Sequence, residues 1–334
     1  MNDTKIFHLV ESRSLSNYTF EFEDTIKQIV LYVKERFNVI KSEEYEAPQK
    51  GSLKYLLKYN DDRFKEEKIP CVFNTFKFQL PLEITKDIDI FEELYINITL
   101  KKITLLKDVS PIQKKWIYNR LSQGAGSTSH LPQNIINGNV LKYGVMDIIV
   151  YVIDGKIVDR GLLVSLRHEF NHLFENYIRT LKTNGNFTSY HHVLSRNGLN
   201  INKGKLDIPD TAYNLLIYLL HDNSELSARA SQIYSDLEYI KSKRCNFQED
   251  IKKTTSYITY VECSYALETL KKTYDIEKWN EYRRKFNYGD TKDAIAFKDV
   301  FLRKTEKLLK KYLQRIGAAS TLYYDIKEKE EKNI

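Results

Sequence analysis

Residues 144–179 of the chain read GVMDIIVYVIDGKIVDRGLLVSLRHEFNHLFENYIR. The first ten are rich in β-branched residues and predict the strongest strand in the chain. Asp154-Gly155 is typical of a two-residue hairpin turn, and residues 156–158 predict a short return strand. After this turn the apolar residues change to helical spacing. The stretch therefore predicts a strand, a tight turn and a helix in direct succession.

The predicted helix begins at Asp159, a plausible N-cap. Its apolar residues form a stripe on one side of the helix. His168 and His172 lie beside that stripe. They are therefore expected at the edge of a largely buried helix. The stripe consists of Leu162, Leu166, Phe170, Leu173 and Tyr177.

Residues His168-Glu169-Phe170-Asn171-His172 form the pattern H-E-x-x-H. Histidines four apart on a helix are about 40° apart around its axis, so both imidazoles reach one point. Two neutral imidazoles at that spacing can hold one Zn²⁺, and Glu169 can act as general base towards water there. The alternative is a pair of ordinary histidines on a surface helix, which the combination of motif and buried helix disfavours.

A catalytic zinc site needs a third protein ligand. The residues after His172 read LFENYIR, which excludes a third histidine at close spacing. Glu225, in HDNSELSARA, is the leading candidate, since small residues after it would let its helix pack closely against the histidine helix. The alternative is a glutamate favoured in a first helical turn by the helix dipole.

Other side chains compete for a place in the site. His191, His192, His221 and Asp222, all downstream of the motif, are alternative ligands. His192 is also a candidate catalytic residue, because a histidine from a neighbouring loop can polarise a substrate carbonyl or stabilise an oxyanion. The alternative is a polar surface, which is the commoner place for a pair of loop histidines such as His191-His192.

The rest of the chain predicts an α+β fold. Residues 71–82 and 93–105 predict two strands, as an antiparallel pair, and residues 122–138 predict a plain flexible loop that resembles a phosphate loop only superficially. The chain after residue 205 is nearly all helical in pattern, with a basic amphipathic helix and a charged, frayed tail at its end. Helices are predicted at 23–39, 110–121, 159–179, 209–221, 224–243, 250–273, 276–286 and 292–316.

The composition is that of a globular protein. Of 334 residues, 42% are hydrophobic and 29% charged, and the net charge of +7 is modest for this length. No basic block with interleaved aromatics is present, so nucleic-acid binding is not expected. Three cysteines without a C-x-x-C pair favour reduced thiols. The absence of a signal peptide pattern and of a long apolar run predicts a cytoplasmic protein without a membrane span.

The histidine motif after a strong strand, with S-E-L-S-A-R-A downstream, resembles the zincin metallopeptidases, and the downstream glutamate is similar to the gluzincin group. The resemblance covers about residues 140–235. It implies one catalytic Zn²⁺ held by His168, His172 and Glu225, with Glu169 activating water, and a protein or peptide substrate. Arg229 departs from the pattern, since the best-known gluzincins have Asp at that position.

The resemblance also implies an architecture. An N-terminal α+β half, residues 1–185, would contain a mixed sheet and the histidine helix, and a helical half, residues 186–334, would follow, with the cleft between them. The strand 144–153 would hold the substrate backbone, as an edge strand can.

Two rival hypotheses remain open. The first is a non-catalytic binding, regulatory or virion structural protein that keeps a zincin fold, because a motif does not by itself establish turnover. The second is zinc hydrolysis of a non-peptide amide such as cell-wall material. Abundant Lys, Asn, Ile and Tyr are typical of AT-rich genomes, which suggests a bacterium or a phage, and packaging in a phage particle is an open alternative to the cytoplasm.

Overall fold

The computed structural model describes most of the chain outside residues 1–21 and 183–222. It describes residues 22–40, 42–58, 64–86, 88, 93–122, 124, 126–129, 135–136, 139–140, 143–182, 216, 223–273, 275–286 and 293–332. Within these ranges the fold is α+β, as predicted, with a mixed sheet in the N-terminal part and a mostly helical C-terminal part. The predicted boundary between residues 185 and 186 lies outside the described residues.

The described strands all belong to the N-terminal part. They are β1 Gln49–Lys58, β2 Phe64–Gln79, β3 Glu93–Leu105, β4 Gly126–Ser129, β5 Ile135–Ile136, β6 Asn139–Val140, β7 Tyr143–Ile153 and β8 Lys156–Ile157. The helices are α1 Glu23–Val39, α2 Pro111–Ser122, α3 Asp159–Lys182, α4 Asn223–Tyr239, α5 Phe247–Ile251, α6 Thr255–Thr273, α7 Ile276–Phe286 and α8 Ala294–Lys332. Short 3-10 turns lie at Ser42–Glu44, Leu82–Ile84 and Arg244–Asn246.

The main sheet has the strand order β1-β2-β3-β7-β4, and β8 pairs with the end of β7. The predicted antiparallel pairing of β2 with β3 is confirmed, although β2 begins earlier than expected. β3 and β7 run parallel, with Ile98 opposite Ile148. A parallel pair needs a long crossover, and the chain between these strands contains α2.

The prediction of a loop over residues 122–138 is wrong in part, because Gly126–Ser129 forms strand β4. This strand pairs antiparallel with Val145–Ile148 of β7 and is the last strand on its side of the described sheet. β7 is therefore an interior strand there, and the prediction that 144–153 is an edge strand is wrong. The sequence GSTS has no apolar alternation, so its extended shape follows from backbone pairing with β7.

The turn between β7 and β8 is of the predicted kind. Asp154 and Gly155 have φ values of 50° and 70°, as a type I′ hairpin turn requires at both central positions. Gly161 in the first turns of α3 allows another close approach, because a Cβ there would lie 2.4 Å from the carbonyl oxygen of Leu121. The turn and this contact fix where α3 begins relative to β7 and α2.

Helix α3 is buried between the sheet and other helices. Leu166 and Phe170 of α3 belong to one apolar cluster with α1 and the sheet residues Ile98 and Ile148. The Phe22 ring stacks on Phe170 with 5.1 Å between centroids. α3 also packs against β4, α2 and α4. The predicted buried helix with its histidines beside the apolar stripe is confirmed.

The C-terminal helices share a separate apolar cluster, in which Trp279 contacts Phe297 and Phe301 of α8. α8 continues to Lys332, so the predicted end at 316 and the frayed tail are wrong. Tyr323 and Tyr324 are buried and extend the packed face of this helix. The helix predicted over 250–273 is interrupted, because α5 ends at Ile251 and α6 begins at Thr255.

Cys71 and Cys263 are buried and Cys245 is exposed, all three as free thiols. Among the helices that the structure describes, none combines the length and the apolar character needed to cross a bilayer.

Candidate metal centre

The two histidines of the motif lie on α3 and present their Nε2 atoms to one point. These two nitrogens are 3.1 Å apart, and the rings are nearly perpendicular, at 85° with 4.6 Å between centroids. His168 is buried and His172 is half-buried. The helical spacing of four residues produces this convergence, as expected from the sequence.

Glu225 lies in the first turn of α4, directly opposite the two histidines. Its Oε1 is 3.3 Å from Nε2 of His172, and its Oε2 is 3.4 Å from Nε2 of His168. The carboxylate is buried, and its position at a helix N-terminus suits a negative charge. The structure thus brings together three of the side chains that the sequence predicted as ligands.

The spacing of these atoms suits a four-coordinate ion. With zinc–ligand bonds of about 2.0–2.1 Å, the edges of a regular tetrahedron are about 3.3–3.4 Å long. The two nitrogens are 3.1 Å apart, and each lies 3.3–3.4 Å from a different oxygen of Glu225. One ligand atom from each side chain can be chosen so that all lie within 4.8 Å of one another. Two imidazoles and a carboxylate are a donor set that zinc accepts, and these three side chains are close enough to share one ion.

The protonation states also suit metal binding. Burial lowers the pKa of His168, although Glu225 opposes this effect, so the imidazole is neutral at pH 7. Burial acts to raise the pKa of Glu225, but His168, His172 and Arg229 outweigh it and hold that pKa well below the ordinary value. A neutral imidazole and an ionised carboxylate are the forms that bind a metal.

Nδ1 of His168 is buried and has no hydrogen-bond partner among the described residues. In zinc sites this nitrogen normally donates to a carboxylate or carbonyl that fixes the ring. Among the described residues, Nε2 of His168 lies beside Glu225. None of these residues accepts a hydrogen bond from Nδ1, the other nitrogen of the ring.

Helices α3 and α4 run antiparallel and are joined by two buried arginines of α3. Nε of Arg160 donates to Oδ1 of Asp236 at 2.6 Å, and the same carboxylate accepts hydrogen bonds from the backbone and side chain of Thr255. Nε of Arg167 donates to Oγ of Ser235 at 2.7 Å. These contacts set the position of α4 along α3, and hence that of Glu225 opposite the histidines.

Arg167 connects a third helix to this pair. Its guanidinium group donates to the carboxylate of Glu23 in α1 and lies over the ring of Tyr234, 4.7 Å from the centroid. The residue is 2% exposed. The arginine immediately before His168 is therefore fixed by contacts to α1 and α4. Neither Arg160 nor Arg167 was predicted, because their partners are distant in sequence.

Arg229 lies one turn after Glu225 on α4. Its Nε is 3.6 Å from Oε2 of Glu225. The sequence had marked Arg229 only as a departure from the gluzincin pattern. The structure gives this residue a specific neighbour, which is the carboxylate of the candidate third ligand.

The remaining predicted site residues have different outcomes. Glu169 is buried on α3, 4% exposed, but is not one of the three clustered ligands. His192, the second predicted catalytic residue, lies outside the described residues. The competing ligands His191, His221 and Asp222 lie outside them too.

The fold and this cluster define an α+β protein with a candidate His-His-Glu metal centre between two buried helices. No family model, curated protein or solved structure matches the chain. The argument for its function consequently rests on the site itself.

Proposed function

We propose that the protein is a zinc-dependent metallopeptidase of the zincin type, with His168, His172 and Glu225 as the metal ligands. The observation that carries this proposal is the convergence of the Nε2 atoms of His168 and His172 on the carboxylate of Glu225. The H-E-x-x-H order adds Glu169 next to the first ligand, where a general base is needed.

Bound zinc would polarise a peptide carbonyl and lower the pKa of a water molecule towards about 7. Glu169 would be the residue that takes up a proton beside the zinc and delivers it to the leaving amine. Its burial on α3 supports the role, because a carboxylate shielded from bulk solvent interacts more strongly with nearby charge. His168 is neutral and Glu225 is ionised, so both can bind a metal without first losing a proton.

A substrate backbone would lie along β4, which takes the role first expected of residues 144–153. β4 is the last strand of the described sheet on its side, and α3 packs against it. The backbone N–H and C=O groups on the outer side of an edge strand can pair with an extended peptide. This location supports a peptide as the substrate rather than a compact small molecule.

The test combines zinc analysis with a cleavage assay on the full chain. Purified protein should contain one zinc per chain by elemental mass spectrometry. It should also cut a denatured protein or a mixed-sequence peptide library, with the products identified by mass spectrometry. Glu169→Gln should keep the zinc and lose about a hundredfold or more of the rate. Glu249→Gln, on the exposed surface of α5, is the matched control and should cleave normally.

Three results would count against the proposal. A fully active Glu169→Gln enzyme would remove the general base from the mechanism. Stoichiometric zinc in His168→Ala would show that the metal binds elsewhere. Zinc in the wild type without cleavage of any library peptide would favour the rival hypothesis of a non-catalytic binding, regulatory or virion structural protein.

A further inference from the structure

Arg229 is close enough to Glu225 to act on the metal site through it. Both residues lie on α4, one turn apart, and the distance from Nε to Oε2 is 3.6 Å. Their side chains are 18% and 9% exposed, so water screens this interaction only weakly. The backbone oxygen of Arg229 accepts a hydrogen bond of 2.7 Å from Oγ of Ser256, which ties this turn of α4 to α6.

The oxygen nearest to Arg229 also belongs to the metal-facing part of the site. Oε2 of Glu225 is 3.6 Å from Nε of Arg229 and 3.4 Å from Nε2 of His168. A cation that enters between the histidines and this carboxylate would therefore share the carboxylate with the guanidinium group. A partner that accepts a hydrogen bond from a ligand makes that ligand more basic. A fixed positive charge beside the ligand has the opposite effect.

The charges of the buried groups give the same result. Glu225 carries a negative charge, and the guanidinium group of Arg229 places a positive charge 3.6 Å from its Oε2. Arg229 therefore offsets the charge of the carboxylate that an incoming cation would meet, and without it that charge would be less opposed. A divalent ion binds more tightly to an anionic site than to a neutral one, and partial burial strengthens the difference.

We propose that Arg229 weakens metal binding by serving as the counter-ion of Glu225 when no metal is bound. The guanidinium group stabilises the buried carboxylate of the metal-free protein, so an incoming cation must compete with it. The site with Arg229 would therefore fill only at higher free-metal concentrations than the same site without the arginine. This inference rests on the metal site of the proposed function.

The test measures zinc affinity by competition with a chromophoric chelator at fixed pH. Arg229→Met removes the charge but keeps a long apolar stem, and its dissociation constant for zinc should fall about tenfold to a hundredfold, the scale seen for groups around metal ligands. Arg229→Lys keeps the charge and should remain within about threefold of the wild type. Arg244→Met is the control, because Arg244 is exposed and pairs with Asp325 and Glu328.

Weaker or unchanged zinc binding by Arg229→Met would overturn the inference, because Arg229 would then orient Glu225 or leave it unaffected. Arg229→Gln keeps a polar side chain but removes the charge, so its dissociation constant for zinc should fall in the same way. This variant replaces Arg229→Met in the test if the methionine variant does not fold. A wild-type protein that binds no zinc would instead refute the proposed metal site itself. The absorption spectrum of bound Co²⁺ gives an independent check, since changed donation by Glu225 should shift it.

Discussion

The buried pair of Arg160 and Asp236 allows a stability prediction that can be tested independently of any activity. Asp236 is 0% exposed and accepts hydrogen bonds from Nε of Arg160 and from the backbone and side chain of Thr255. The carboxylate is thus the shared acceptor of Arg160 and Thr255, and the Arg160 guanidinium would lose its anionic partner if the charge were removed.

Asp236→Asn removes the negative charge but keeps an acceptor for Thr255. Arg160 would then stay buried with the carbonyl of Lys253 as its other described partner. Removing one member of a buried ion pair typically costs about 3–5 kcal/mol, since the other charge is left uncompensated. We therefore expect the free energy of unfolding of Asp236→Asn to fall by about 3–5 kcal/mol.

Arg160→Met combined with Asp236→Asn should recover much of this loss. The double variant contains neither buried charge, and replacing both members of such a pair is often nearly neutral. Its unfolding free energy should lie within about 1–2 kcal/mol of the wild type, an estimate based on the lost hydrogen bonds. The two single variants and the double variant form a cycle that isolates the interaction energy.

The assay is urea unfolding at pH 7, followed by circular dichroism and tryptophan fluorescence. The reasoning would be refuted if Asp236→Asn were within about 1 kcal/mol of the wild type, the scale of one hydrogen bond, or if the double variant lost the sum of the two single losses. Either result would mean that the Arg160–Asp236 contact contributes little to the docking of α4 on α3.

Two further predictions concern pH and the hairpin. Because the pKa of His168 is lowered in the folded protein, this histidine is protonated at a higher pH in the unfolded chain than in the folded one. The metal-free protein should therefore lose stability as pH falls below about 6.5. His168→Gln should remove that loss in pH-dependent urea unfolding, and an equal loss in this variant would assign the effect to another group. Gly155→Ala should destabilise by about 1 kcal/mol, because φ is 70° there while the added Cβ meets no atom within 4 Å. Gly317→Ala is its control in helix α8, where an added Cβ is equally free of contacts, and should stabilise by up to about 1 kcal/mol; equal effects of the two would contradict the backbone argument.

The features that the sequence predicted well are those set by local periodicity. The strand, turn and helix of residues 144–182 follow from β-branched residues, an Asp-Gly pair and a helical stripe, each within a few residues. The convergence of His168 and His172 is equally local, since both lie on one helix. The antiparallel pair of β2 and β3 was predictable because each strand has its own pattern.

The features that depend on distant neighbours were harder to predict. Strand β4 has no apolar pattern, and its pairing with β7 makes it extended. β1 was not predicted, and the end of α8 was placed too early. The approach of Glu225 to the histidines depends on how α4 packs on α3. The sequence supported Glu225 only through the small residues after it and the need for a third ligand, and its role as a ligand stays a prediction.

The two buried arginines of α3 give a physical reason why this packing is specific. Arg160 and Arg167 are seven residues apart, so they lie on nearly the same side of the helix. Their partners, Asp236 and Ser235, are adjacent on α4. Apolar contacts alone would tolerate a small slide of one helix along the other, because they have little directionality.

A shift of α4 by one residue would turn Asp236 by about 100° around the helix axis. The shift would leave the guanidinium of Arg160 buried without its carboxylate, at a cost of about 3–5 kcal/mol. It would also carry Glu225 out of the 3.3 and 3.4 Å spacings from the histidines. A shift of α4 would leave these buried charges unpaired, so the same charges hold the candidate metal ligands in register.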